Sequence, residues 1–265
     1  MYKNPFYIAE LQASNCQVEL LVNDLPCFNQ YNDGGVGVDW PINEYILNSG
    51  KQFYTIKANC FDNESKIRPN ASISLKITLR NAFDFSVPKK VVKEHVQINF
   101  NEKDTGIFES GGFFDAQVPY SLLGWKDSFD FSDYIHGDNV VKKAIIAELK
   151  EYYEVFYQIL KKRDINQYNS INSQRFEEIT TAFYLTDDEK NERKQSILST
   201  SRQDILKIDF SEYSLHFYGN KNQVVGVKLT NQPCGFVFEN AEGMIITELA
   251  LFHRLKSKDK LSLIR

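Results

Sequence analysis

The chain has 265 residues, of which 42% are hydrophobic and 25% charged, with a formal net charge of −4. Such a chain has the make-up of a globular protein and is long enough for one large domain or two ordinary ones. It carries no global basic field for nucleic acid and no run of about 18 apolar residues for a bilayer, so neither is an expected partner.

Reading from the N-terminus, "MYKNPFYIAELQASNCQVELL" has no basic segment followed by an apolar one. No signal peptide is expected, and the cytoplasm is the expected compartment. "QVELLVNDLPCF" alternates across Asn23-Asp24, a pair that tolerates left-handed backbone and so predicts a hairpin. Pro26 then belongs at an edge or at a strand start. "KQFYTIKANCF" places Phe53 and Thr55 on one face and Gln52, Tyr54, Ile56 and Ala58 on the other. "ASISLKITLRNAF" places Ile73, Leu75, Ile77 and Leu79 opposite Ser74, Lys76, Thr78 and Arg80. "KKVVKEHVQINF" is a further strand. The Gly-, Asn- and Asp-rich stretches "NQYNDGGVGVDW", "FDNESKIRPN" and "NEKDTGIFESGG" read as loops between strands. Short antiparallel strands with such loops predict a β-sandwich over residues 1–110.

The period changes near residue 137. In "GDNVVKKAIIAELKEYYEVFYQILKKRD", Val141, Ile145, Leu149, Tyr152, Phe156, Ile159 and Leu160 fall at helical spacing. Asp138 or Asn139 is the N-cap, and the terminal Lys161, Lys162 and Arg163 complement the helix dipole. Asp164 caps a second helix through residue 185, and Thr186 with Glu189 forms a capping box for a third. Strands return after residue 204, with reversals at Gly219-Asn220 and Glu242-Gly243. The expected fold class is α+β: an N-terminal antiparallel β-sandwich, a connecting segment over 111–137, and an α+β domain over 138–265 with its helical block packed on an antiparallel sheet.

The turn Val22-Asn23-Asp24, followed by Leu47-Asn48-Ser49-Gly50-Lys51 before a core strand, resembles the galactose-binding-like β-sandwich domains over residues 16–62. The resemblance implies the sandwich; sugar binding does not transfer with it. The order of helices and strands over 138–265 looks like the nuclear transport factor 2-like α+β cone, which implies a domain able to enclose a pocket. The two-part chain as a whole is similar to bacterial toxin-immunity proteins, which block a delivered toxin by occluding its active site.

Reactive motifs are scarce. "DGGVGVDW" and "ESGGFFD" lack the Gly-Lys-Ser/Thr of a phosphate loop. His95, His136, His216 and His253 stand apart in sequence, and Cys16, Cys27, Cys60 and Cys234 share no metal spacing, so no metal and no cofactor are expected. The cysteines read as small hydrophobes. No Gly-x-Ser-x-Gly elbow occurs. Were the C-terminal domain catalytic, His216, Glu239, Glu248 and Tyr153 are the residues to inspect. What remains is surface. Residues 29–40 hold Tyr31, Asp33, Asp39 and Trp40, and residues 113–134 hold Trp125 among other aromatics. Acids beside aromatics suit protein recognition and also sugar binding; their competing role is to cover the sandwich ends. The expected function is non-enzymatic binding of a protein partner, a toxin or effector, with Tyr31, Asp33, Asp39, Trp40 and Trp125 as contact residues. The alternative is a carbohydrate or small-molecule module with a pocket in the C-terminal domain. Partner identity and oligomeric state are not encoded in any motif.

Overall fold

Period-two alternation builds the first eight strands. In β1 (Pro5–Ser14), Tyr7, Ala9, Leu11 and Ala13 are buried while Gln12 is exposed. β2 (Gln17–Val22) and β3 (Leu25–Gln30) form the expected hairpin, with Val22 opposite Leu25. Asn23 and Asp24 have φ of 50° and 62°, the left-handed pair that matches the twist of the flanking strands. β4 (Gly35–Pro41) follows, then β5 (Gly50–Asn59), β6 (Ser72–Asn81), β7 (Lys90–Asn99) and β8 (Ile107–Ala116). The computed structural model describes residues 2–100, 105–135, 139–196, 205–240 and 242–265. The eight strands make two antiparallel sheets of a β-sandwich, ordered β4-β1-β6-β7 and β3-β2-β5-β8. Both faces of β5 and β6 follow the predicted alternation, except that Thr78 is fully buried and donates to Glu10 Oε1 at 2.9 Å. Pro26 lies on edge strand β3, beside a bulge at Leu20/Leu21, where its missing N–H costs no ladder bond.

Two glycine-rich stretches expected as loops are strands. Gly35 and Gly37 pair with Ser14 and Gln12 on edge strand β4, and Gly111 and Gly112 pair with Thr55 and Tyr54. A Cβ added at Gly112 would sit 2.7 Å from Tyr54 Cζ. The Tyr54 ring therefore covers the space that the glycine leaves, and the backbone ladder holds without side-chain alternation.

The chain divides into two units, residues 1–122 with Ala182–Tyr184, and residues 123–181 with 185–265. β8 runs through residue 110, within the first unit.

The second unit carries the helical block. A short α1 (Ser132–Ile135) precedes α2 (Asn139–Lys162); the proposed cap Asp138 lies outside the described residues. α2 buries Ile145, Leu149, Tyr153, Phe156, Ile159 and Leu160. Tyr153 is the centre of that face: its ring stacks on Phe238 at 5.0 Å, and its hydroxyl accepts from Ile208 N at 2.8 Å. The expected second helix is two, α3 (Ile165–Ile171) and α4 (Ser173–Ala182). Asn172 breaks it. This buried side chain donates to Tyr168 O at 2.9 Å, and the same carbonyl accepts the Asn172 N–H at 3.0 Å, so two donors share one oxygen at the break. Asp164 caps α3 through Gln167 N at 3.0 Å. α5 (Asp187–Ser196) opens with the predicted box: Thr186 N donates to Glu189 Oε2 at 2.8 Å, and Glu189 N to Thr186 Oγ1 at 3.3 Å.

β9 (Ile205–Lys207), β10 (Ser214–Tyr218), β11 (Val224–Lys228), β12 (Gly235–Asn240), β13 (Ile245–Leu249), β14 (Leu251–His253) and β15 (Ser262–Leu263) complete the chain. They form antiparallel sheets β10-β11-β14-β15 and β13-β12-β9. The single strand expected over "MIITELALFHRL" divides at the fully buried Ala250, and its halves join different sheets. The helices and these sheets share an aromatic core of Phe131, Tyr153, Phe156, Tyr168, Phe236, Phe238 and Phe252. No helix among the described residues is long and apolar enough to cross a membrane.

All four cysteines are free thiols, with Cys16, Cys27 and Cys234 buried and Cys60 half-buried. Burial pushes the Cys16 thiol up to about 11 and Cys27 well above its ordinary value.

Candidate functional site

Of the five residues expected to meet a partner, Tyr31, Asp33, Asp39 and Trp40 lie in the first unit and Trp125 in the second. Tyr31 donates its hydroxyl to Glu19, and Asp33 is held in a two-pronged ion pair by Arg68 at 2.9 and 3.0 Å. The Arg68 guanidinium beside it keeps the Asp33 carboxyl below its ordinary value. Trp40 is 36% exposed and packs on Phe28 at 5.2 Å, a ring contact between β4 and β3 of the other sheet. Trp125 is only 4% exposed and belongs to the second unit, where Arg265 lies over its ring at 5.5 Å. Asp39 lines a groove. It sits opposite Glu10 on β1, in a groove of about 460 Å³ that also takes in Gln12, Ser74 and Lys76. Burial raises the Glu10 carboxyl, but bonds from Lys89, Lys76 and Thr78 outweigh it and leave the group below its ordinary value.

The residues named for a catalytic C-terminal domain are likewise occupied separately. The Tyr153 hydroxyl is tied to the Ile208 backbone. Glu248 on β13 accepts from Tyr168 at 2.8 Å and from Arg175 at 3.1 Å, clamping α3 and α4 to the sheet. His216 on β10 shares a 2.9 Å bond with Ser214. Glu239 is half-buried on β12. His136 and the His95 side chain lie outside the described residues. Among the described residues no group of three His, Cys, Asp or Glu is arranged to hold a metal.

Ionisable groups do converge elsewhere, around His253 at the end of β14. A cavity of about 430 Å³ opens there within the second unit. Its walls come from three parts of the chain: Leu123, Gly124 and Asp127; Gln174 on α4; and residues 253–262, including Leu255, Asp259 and Lys260. The wall is built in layers. His253 is 4% exposed, and its Nδ1 is 2.6 Å from Ser128 Oγ, which fixes the ring and leaves Nε2 with no hydrogen-bond partner among the described residues. Burial, helped by the nearby Arg265 and opposed by Glu178, holds the imidazole below its ordinary value of 6.5. The ring is therefore neutral near pH 7. Behind it, Arg265 and Glu178 form a buried ion pair at 2.8 Å, with Arg265 0% exposed. Glu178 also accepts from Gly124 N at 2.9 Å and from Gln174 Nε2 at 3.2 Å, so the same carboxylate positions two parts of the cavity wall. Arg254 is held by Glu148 at 3.1 Å and by Ser257 O at 3.0 Å.

Nearer solvent, Asp127 and Lys260 are exposed and have no ion-pair partner among the described residues, while Leu123 and Leu255 are 76% and 63% exposed at the mouth. The arrangement provides one neutral imidazole, a cation, carboxylates and an apolar lip. Sequence reading missed it because its parts lie far apart in the chain. The trace it left was the pair His253-Arg254 ending the otherwise apolar "ALF" strand, a place where a polar group needs a reason. No protein-family model, no curated protein and no solved structure matches this chain.

Proposed function

We propose that this protein is a binding protein and that its second unit takes a small polar ligand in the cavity beside His253. One observation carries the reading. A histidine held neutral by burial and oriented through Nδ1 by Ser128 contributes to the wall of a cavity of about 430 Å³. A largely preformed concavity with a few oriented polar groups is what small-ligand sites have in common. The resemblance of residues 138–265 to nuclear transport factor 2-like cones adds a fold-level analogy and no residue. The test is a thermal-shift screen of a broad metabolite library, repeated on Leu255→Trp, in which a larger ring crowds the mouth. Ligands that stabilise the wild-type protein and fail on the variant support the proposal. A screen with no stabilising compound, or hits indifferent to the variant, would overturn it.

A second reading keeps the first unit in view: an immunity-type inhibitor that grips a toxin or effector protein. It is favoured by the open groove on the outer face of β4, β1 and β6, where Asp39 and Glu10 sit side by side beside an unpaired sheet edge. Such an edge can accept a strand from a partner. Capture of a stoichiometric protein from the native host that is lost with Asp39→Arg would support this reading, and capture unaffected by that change would count against it.

A further inference from the structure

Resting on the cavity beside His253 as a ligand site, we infer that its ligand is a zwitterion of the free amino-acid class, bearing one ammonium, one carboxylate and a short apolar side chain. The charges argue for it. Asp127 and Lys260 both border the cavity, both are exposed, and neither has an ion-pair partner among the described residues. The two arginines are already matched: Arg254 by Glu148, and Arg265 by Glu178. Asp259 spends one oxygen on Lys256 N at 3.0 Å. Two carboxylates, Asp127 and Asp259, and one ammonium, Lys260, border the same cavity without an ion-pair partner among the described residues, and together they complement a molecule that carries both signs. The neutral His253 adds a hydrogen-bonding nitrogen without a third charge. Gln174 places an amide beside it, with its Nε2 bound to Glu178. Leu123 and Leu255 supply an apolar lip, wide open to solvent, against which an aliphatic side chain can lie.

A neutral sugar would leave both charges unanswered, and an anion such as phosphate would meet Asp127 and Asp259 as like charges. The zwitterion brings an ammonium to the carboxylates and a carboxylate to Lys260, so it answers both signs of the wall.

The experiment is calorimetric titration of the full chain with three matched probes: L-leucine, its N-acetyl derivative, which has lost the ammonium, and isopentylamine, which has lost the carboxylate. The expected result is binding of L-leucine, with each analogue weaker by about tenfold or more, the scale of a lost charge-assisted contact. Asp127→Asn should bring L-leucine down toward the N-acetyl probe, and Lys260→Met should bring it down toward the amine. Both positions are exposed, so circular dichroism is expected to stay that of the wild type. Analogues that bind as well as L-leucine, or variants that bind it unchanged, would overturn the zwitterion. A library compound without both charges that binds, and that Leu255→Trp excludes, would overturn it too while leaving the ligand site standing. Silence from all three probes and from the library would remove both.

Discussion

At the scale of single residues, the second unit depends on one buried carboxylate. Glu178 serves Arg265, Gly124 and Gln174 at once. Arg265→Ala leaves that charge buried without its counter-ion, and a loss of about 3 kcal/mol is expected in urea unfolding, the scale for breaking a buried pair. Glu178→Gln keeps an acceptor for Gly124 N and should cost less; equal losses would show that the charge itself is not what matters. His253 gives a pH dependence whose sign follows from its environment. Burial first, then Arg265, hold the folded imidazole below 6.5, against the pull of Glu178. Below that pH the unfolded histidine takes up a proton that the folded one refuses, so its contribution is present above about pH 6.5 and is lost on acidification. The urea midpoint of the wild-type protein should fall between pH 7.5 and 5.5 by more than that of His253→Gln. Parallel falls would assign the acid sensitivity to other groups.

Among elements, the β2–β3 hairpin shows how much one turn residue can carry. Beyond its positive φ, Asn23 accepts from Phe53 N at 3.0 Å and donates to Tyr45 O and Gln52 Oε1, each at 2.8 Å. Asn23→Gly keeps the backbone and removes those bonds, so a loss of about 2 kcal/mol is expected, the cost of partners left unsatisfied. An unchanged midpoint for Asn23→Gly would show that backbone conformation and not the side chain sets the turn. Hairpin, capping box and strand faces were legible because turn chemistry and periodicity are local. The misread elements failed for local reasons as well. β4 and β8 hide behind glycines because a ladder needs only backbone, and Asn172 splits a helix that its flanking pattern would continue. Tyr153 gave way to Tyr152 in the predicted apolar face, one position off, because both are tyrosines and only packing against Phe236 and Phe238 decides between them. The cavity was illegible because Asp127, Gln174, His253 and Lys260 are brought together only by the tertiary fold.

For the molecule as a whole, the two tryptophans fall one in each unit, Trp40 in the first and Trp125 in the second. Trp40→Phe leaves fluorescence that follows the second unit alone, and Trp125→Phe leaves the first. Each unit has its own buried core, so the two single-tryptophan proteins should show different guanidinium midpoints. Coincident midpoints, with each variant as stable as the wild type by circular dichroism, would make unfolding a single cooperative event. The thiols offer a further handle. Three are sealed in apolar surroundings, whereas Cys60 is part-exposed with its Sγ bonded to Glu64 O at 3.0 Å. Native protein treated with a maleimide dye would thus acquire one fluorophore, stoichiometrically and without engineered cysteines, and that fluorophore would paint the sandwich while the other unit stays dark.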